Sequence, residues 1–267
     1  MNLNSQPIKL FLVVAFSCTS LLISLTPILA KPTPNPSDAK TTLAQATTFT
    51  QPPIPPGSPP GGRVRGGAKR GGRSGCPSPE IDLTALVPFT QEANSVINVW
   101  GQTTVEHPSW FFYVPYTKDS PYTVEFVLQD LDANNVYKKA IALPDKPGIV
   151  PVSLPSNAPT LAVGQQYRWF FTINCDKQQN TPLTFVEGVI KRVNLSQAIV
   201  KEIETAEPLK RYTIYAQNGI WYEALTTLAE LRQKNPQDAA LKAEWRNLLN
   251  SIRLDDVAGE PIFPGTP

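Results

Sequence analysis

The chain has 267 residues, long enough for one or two domains with a sizeable core, and its 41% hydrophobic content is that of a globular protein. Its 24 basic and 22 acidic residues leave a formal net charge of +2, so global charge selects no class of partner. The 28 prolines crowd towards residues 27–79, which marks that stretch as non-globular.

Residues 1–30 read as an export signal. Lys9 supplies the positive charge, residues 10–25 an apolar run, and Pro27 with Ala30 a small-residue exit. Residues 10–30 are also long enough to span a bilayer as an uncleaved anchor, so a membrane contact enters only on that second reading. Lipid attachment at Cys18 lacks the Leu usual three positions earlier. Removing the signal leaves Cys76 and Cys175, an even pair that an oxidising compartment converts to a disulfide. Closing a loop of about 100 residues contributes about 4–5 kcal/mol on the chain-entropy account. Two cysteines and one histidine build no zinc site, and no cofactor is expected.

Residues 31–80 read as a disordered linker. Its first part is Pro-, Thr- and Ser-rich and favours an extended spacer. Residues 61–75 turn to Gly with Arg63, Arg65, Lys69, Arg70 and Arg73 and no acid, a candidate polyanion-binding arm. Behind an export signal its counterpart is an anionic polysaccharide or envelope surface rather than nucleic acid; a plain solvated linker is the competing reading.

Residues 81–193 change to short alternating runs split by turn residues. Strands are expected over 96–100, 110–114, 122–129, 136–143, 149–154, 165–174 and 184–193. No helical pattern separates them, so an antiparallel sandwich is expected in preference to a parallel sheet. The sixth run buries Tyr167, Trp169, Phe171 and Ile173 on one face. Its lead, Leu161-x-x-Gly164-x-x-Tyr167, resembles the tyrosine corner of immunoglobulin-like sandwiches, in which a Tyr hydroxyl bonds back to the backbone.

From residue 194 the period becomes helical. Asn194 with Gln197 reads as a capping box, and Leu195, Ile199 and Ile203 share a face. Pro208 permits a fresh helix start. Tyr215, Gly219, Ala224, Leu228, Leu231 and Pro236 are spaced as in the second half of a tetratricopeptide repeat, although an ordinary helical hairpin fits equally. A last helix carries Leu241, Trp245, Leu248 and Ile252. The domain plan is thus signal 1–30, linker 31–80, immunoglobulin-like sandwich 81–193, tetratricopeptide-like segment 194–256 and tail 257–267.

Several long motifs occur in order: Gly75-Cys76-Pro77, Leu83-Thr-Ala-Leu-Val-Pro88, Trp110-Phe-Phe-Tyr-Val-Pro-Tyr116, Glu125-Phe-Val-Leu-Gln-Asp130, Tyr167-Arg-Trp-Phe170 and Asn218-Gly-Ile-Trp-Tyr-Glu-Ala-Leu225. Over residues 61–256 they resemble the cyanobacterial exported family known as domain of unknown function nine-two-eight. The resemblance implies an exported protein of a photosynthetic bacterium and carries no activity or site.

Catalytic chemistry finds little support. The one histidine, His107, sits in a loop, and no Gly-x-Ser-x-Gly turn supplies a nucleophile. A hydrolase would need two of Glu125, Asp130, Asp132 and Glu187 to converge in a cleft. Asp130-Leu-Asp132-Ala-Asn134 has the alternate oxygens of a calcium loop without its Gly and closing Glu. The expectation is therefore a non-enzymatic exported interaction protein, periplasmic or extracellular. Its contact with another envelope protein is expected near Tyr215, Trp221 and Tyr222. The alternative is a polysaccharide-binding module that pairs the basic arm with exposed aromatics among Trp100, Trp110, Phe112 and Tyr116.

Overall fold

The computed structural model describes residues 47–57, 61–66, 76–77, 79–92, 96–175 and 184–265, all of which lie in one compact unit. Residues 1–46, on which the export signal is expected, and the basic residues Lys69, Arg70 and Arg73 lie outside the described residues. Among the described residues, no helix is long and apolar enough to cross a membrane.

Among the described residues, ten strands form two sheets. A four-stranded sheet has the order β1 (Arg65–Gly66), β2 (Leu83–Ala85), β5 (Ser109–Val114), β8 (Gly148–Ser153). A six-stranded sheet has the order β3 (Phe89–Gln91), β4 (Ile97–Thr103), β10 (Thr184–Arg192), β9 (Gln166–Asn174), β6 (Thr123–Gln129), β7 (Asn135–Ile141). All seven expected strands occur, and the three missed ones are two or three residues long, too short for periodicity to register. One expectation is corrected. β4 and β10 pair in parallel, so the larger sheet is mixed. They are far apart in the chain and no hairpin dictates their relative direction.

The sheets meet face to face through aromatic rings. Phe112 of β5 stacks on Phe171 of β9 at 4.2 Å and meets Trp169 edge-on at 5.7 Å, while Trp110 reaches Phe126 of β6 at 4.9 Å. β9 alternates as read, with Tyr167, Trp169, Phe171 and Ile173 buried and the residues between them half-buried. Ahead of it, Gly164 turns the chain at φ +81°, and the Tyr167 hydroxyl accepts from the Ala162 backbone N–H at 3.0 Å. Cys76 and Cys175 form a disulfide across a sequence separation of 99 residues. Beside it, the Tyr116 hydroxyl donates to the Pro77 carbonyl at 3.0 Å, and burial pushes its pKa up to about 12.

Four helices follow: α1 (Gln197–Thr205), α2 (Pro208–Gln217), α3 (Trp221–Lys234) and α4 (Ala239–Ser251). The cap of α1 is Ser196, whose Oγ accepts from the Ile199 N–H, and not Asn194. Extended backbone at Ser196 places the helix start two residues later than the motif implied. Pro208 opens α2 as expected, and Asp238 caps α4. The helices are no separate appendage. α3 packs on β4 and β5, and its Trp221 is fully buried with the indole N–H donating to the Leu86 carbonyl at 2.8 Å.

Parts of the expected linker and of the C-terminal tail are also built in. Arg65–Gly66 pairs with Leu83–Thr84, Val64 is buried, and Phe49 packs its ring edge on Trp221 at 4.9 Å. The disordered-linker reading of residues 31–80 is therefore corrected for residues 47–57 and 61–66. Phe49 and Val64 are the apolar anchors that a composition average conceals. At the other end Leu254, Val257 and Ala258 are buried, and residues 261–263 hydrogen-bond to Ile149 along the free edge of β8. Covering that edge removes a template for pairing with another chain.

Candidate functional site

The strongest constellation lies where α2 and α3 meet the loop after β4. Glu223 sits in the first turn of α3 and is almost wholly buried. Its Oε1 accepts from Thr103 Oγ1 at 2.6 Å, Thr104 N at 2.8 Å, Val105 N at 3.0 Å and Thr104 Oγ1 at 3.2 Å. Its Oε2 has no partner. Burial raises the carboxyl pKa, and these hydrogen bonds only partly oppose it. This contact clamps the helical hairpin to the sandwich. No motif announced it, because Glu223 and Thr103 are separated by 120 residues.

A cavity of about 360 Å³ opens beside Glu223, lined also by Arg211, Tyr215, Tyr222, Thr226 and Glu230. Arg211 donates through Nη2 to the Ala206 carbonyl at 3.2 Å, while its Nε is buried without a partner. The buried Tyr222 hydroxyl has the indoles of Trp110 and Trp169 as neighbours and makes no hydrogen bond of good geometry. Burial, and then the nearby Glu223, raise the Tyr215 pKa. His107 also lines the cavity, its Nε2 lying 3.1 Å from the Ala158 carbonyl.

Of the three expected partner-contact residues, the structure brings Tyr215 and Tyr222 to this cavity and places Trp221 elsewhere. Trp221 has no free surface, since Phe49 covers the ring. Residues 47–52 run along the hairpin beside it, and the Pro56 carbonyl farther on accepts from Gln166 of β9 at 3.2 Å. Thr50 N donates to the Ala216 carbonyl at 3.0 Å, and Thr47 lies 3.3 Å from Thr213 through their hydroxyls. Gly219 makes the α2–α3 turn at φ +74°, and a Cβ there would come within 3.0 Å of Pro52 and of the Thr50 carbonyl. Gly at this position serves both the turn and the close approach of the segment.

The remaining candidates disperse. Glu125 pairs with Lys138 at 2.9 Å and Glu187 with Arg168 at 2.6 Å, each on the outer side of the six-stranded sheet. Asp130 accepts from Asp132 N, Asn134 N and Asn134 Nδ2 within its own turn, and the Asn134 hydrogen bonds hold its pKa low. The hydrolase set is thereby corrected. In the Asp130–Asn134 turn the Asp130 carboxylate oxygens accept from the loop itself. Among the described residues, no group of three or more His, Cys, Asp and Glu could hold a metal ion. Of the basic arm, Arg65 makes a two-pronged pair with Asp256 at 2.7 and 2.8 Å, and Arg63 lies over the Phe185 ring at 4.6 Å. Trp100, Trp110, Phe112 and Tyr116 are all buried, so core packing takes these rings and the alternative in which they face a glycan is corrected.

Comparison with solved structures finds, among others, two crystal structures of a β-glucuronidase from Parabacteroides merdae, one with glycerol in its active site. Each is 13% identical and covers 66% of this chain, with TM-scores of 0.24 and 0.22. This chain spans 34% and 33% of those enzymes, and a likeness of that level carries no argument for fold or activity. No curated protein matches. The model of one family matches residues 65–262, and the chain accordingly belongs to the family described as Domain of Unknown Function (DUF928).

Proposed function

We propose that this is an exported, non-enzymatic interaction protein of a bacterial envelope, and that its helical hairpin receives an extended, Pro-rich segment of another envelope protein. The observation that carries the reading is the course of residues 47–52, which lie on the hairpin as a resident peptide. Phe49 fills the place over Trp221, Thr50 supplies a backbone hydrogen bond, and Pro52 crosses the Gly219 turn. Apolar anchoring by one ring beside a Pro-rich stretch is a recurrent mode of peptide recognition. Export is supported by the Cys76–Cys175 bridge, a bond that persists in oxidising compartments, together with the signal-like residues 1–30. We take the source to be a photosynthetic bacterium, as the family resemblance implies.

The finer architecture belongs to the same reading. An immunoglobulin-like sandwich is supported by the Tyr167 corner, by β5 between β2 and β8, and by β10-β9-β6-β7 opposite with β4 alongside β10. One tetratricopeptide-like unit is supported by the positive φ of Gly219 and the burial of Ala224 at the close approach of α2 and α3.

The test is a labelled peptide of residues 47–57 added to the full chain. The tethered copy competes at an effective concentration of about millimolar, so the wild-type protein is expected to bind the peptide weakly. Phe49→Ala vacates the place over Trp221 and is expected to bind it at least about tenfold more tightly. A peptide lacking its own Phe should bind neither protein. Failure of the wild-type peptide to bind the Phe49→Ala chain, with that chain folded, overturns the proposal.

A further inference from the structure

We propose that the chain is a substrate for proteolytic processing between Ala46 and Thr47, and that the α-amino group released at Thr47 pairs with the Glu244 carboxylate on α4. The cut rests on the export proposed above. Ala44-Gln45-Ala46 places small residues one and three positions before the bond, the pattern that leader-removing peptidases select. The exit at Ala30 has Ile28 at the third position and matches that pattern less well. Ala46 lies well beyond the apolar run of residues 10–25, so this cut is a second one that removes residues 31–46 after the signal. The motif itself lies outside the described residues, and the structural argument starts at Thr47.

Thr47 N lies 3.4 Å from Glu244 Oε2, and two residues later the Phe49 ring is lodged on Trp221. Glu244 is half-buried, and the same oxygen accepts from the Tyr212 hydroxyl at 3.4 Å. The ion pairs among the described residues leave this carboxylate without a cation. Withdrawing a carboxylate from water without a cationic partner is costly. An amide N–H at 3.4 Å, beyond the usual range of about 2.7–3.2 Å, offsets little of that cost. Hydrolysis of the Ala46–Thr47 bond consumes one water, leaves a carboxylate on Ala46 of the released fragment, and turns the Thr47 nitrogen into an ammonium. The cation then stands where the carboxylate lacks one, and charge-assisted hydrogen bonds are shorter and about twice as strong as neutral ones. The cut comes before docking, because a peptidase needs extended chain on both sides of the bond and α2 and α4 engage the chain from Thr47 onward. Processing thereby fastens residues 47–52 to the hairpin.

The test isolates the natural protein from fractionated cells of its source and reads its N-terminus and intact mass by mass spectrometry. The envelope fraction is expected to hold a chain that starts Thr47-Thr-Phe-Thr50. Ala46→Trp and Ala44→Trp, expressed in the same cells, are each expected to keep the residues upstream of Thr47. An envelope chain that starts at Lys31 overturns the cut and leaves export standing, whereas a chain confined to the cytosol with residues 1–46 intact overturns both. Thermal melts then read the pairing. Glu244→Gln keeps an oxygen for the Thr47 nitrogen and the Tyr212 hydroxyl and removes only the charge. It is expected to lower the Tm of the processed chain by about 2–4 °C and to leave that of either unprocessed variant unchanged. Equal shifts in processed and unprocessed chains overturn the pairing.

Discussion

Glu223 concentrates the physical tension of the molecule in one side chain. Four donors converge on one oxygen while the other is buried and unpaired, so the carboxyl is held by geometry and penalised by desolvation. Its folded pKa lies above the ordinary glutamate value of 4.5. The folded state therefore binds its proton more tightly than the unfolded state does. This contribution to stability is full below that ordinary value and is lost as pH rises through the folded value. Asp256, held low by Arg65, works in the opposite sense, so the effect of Glu223 is isolated by comparison with a variant. We expect Glu223→Gln to flatten the fall in stability above about pH 4.5 relative to wild type. Glu223→Ala should cost about 2–4 kcal/mol at any pH, because it strands the Thr104 and Val105 N–H groups. Thermal melts across pH check both. A wild-type stability that rises over that window with no difference in slope from the Gln variant would contradict the assignment.

At the scale of elements, the sandwich depends on how closely its strands can approach the large rings between them. Gly188 of β10 lies opposite Trp169 of β9. A Cβ there would stand 2.5 Å from Trp169 Cζ2 and 2.8 Å from the Val99 side chain and carbonyl. Gly188→Ala is expected to cost about 1–3 kcal/mol through overpacking. Gly259→Ala, which meets nothing within 4 Å, is the matched control and should be close to neutral. Urea unfolding of the two variants separates them; equal stabilities would show that β10 shifts freely. The segment at residues 47–57 is an element of the same kind in energetic terms. It has no ladder of its own and is held by one ring, a few hydrogen bonds and a glycine that leaves room for it.

At the scale of the molecule, the chain closes on itself at three places. The Cys76–Cys175 bridge ties the start of the sandwich domain to the end of β9, residues 61–66 pair with β2 and Glu187, and residues 261–263 seal β8. Cys76→Ser with Cys175→Ser should lower stability by about 2–5 kcal/mol. Reductant added to the wild type should reproduce the loss, as measured by denaturant titration. Loss of both cysteines without effect would mean that the pairing with β2 already holds residues 61–66 in place. Removing the helices would be a poor probe of partner binding, since Trp221, Tyr222 and Glu223 are shared with the sandwich core.

Much of this architecture was legible in residue order. The seven long strands, the Tyr167 hydrogen bond back to the backbone, the helix start at Pro208 and the cysteine pair all follow from short-range signals: alternation, turn chemistry, a fixed spacing, and the even count of cysteines beyond residue 30. Local pattern specifies which face of a strand turns inward, and in the structure Trp169, Phe171 and Ile173 are buried as read. What only the tertiary structure decided rests on contacts between distant residues. The parallel pairing of β4 with β10, the lodging of Phe49 on Trp221 and the clamp from Glu223 to Thr103 join segments that share no local signature. A strand records its own period but not its neighbour, and a carboxylate records its charge but not its burial. The cavity beside Glu223 exists because three elements meet there, so its residues become neighbours only once the chain has folded.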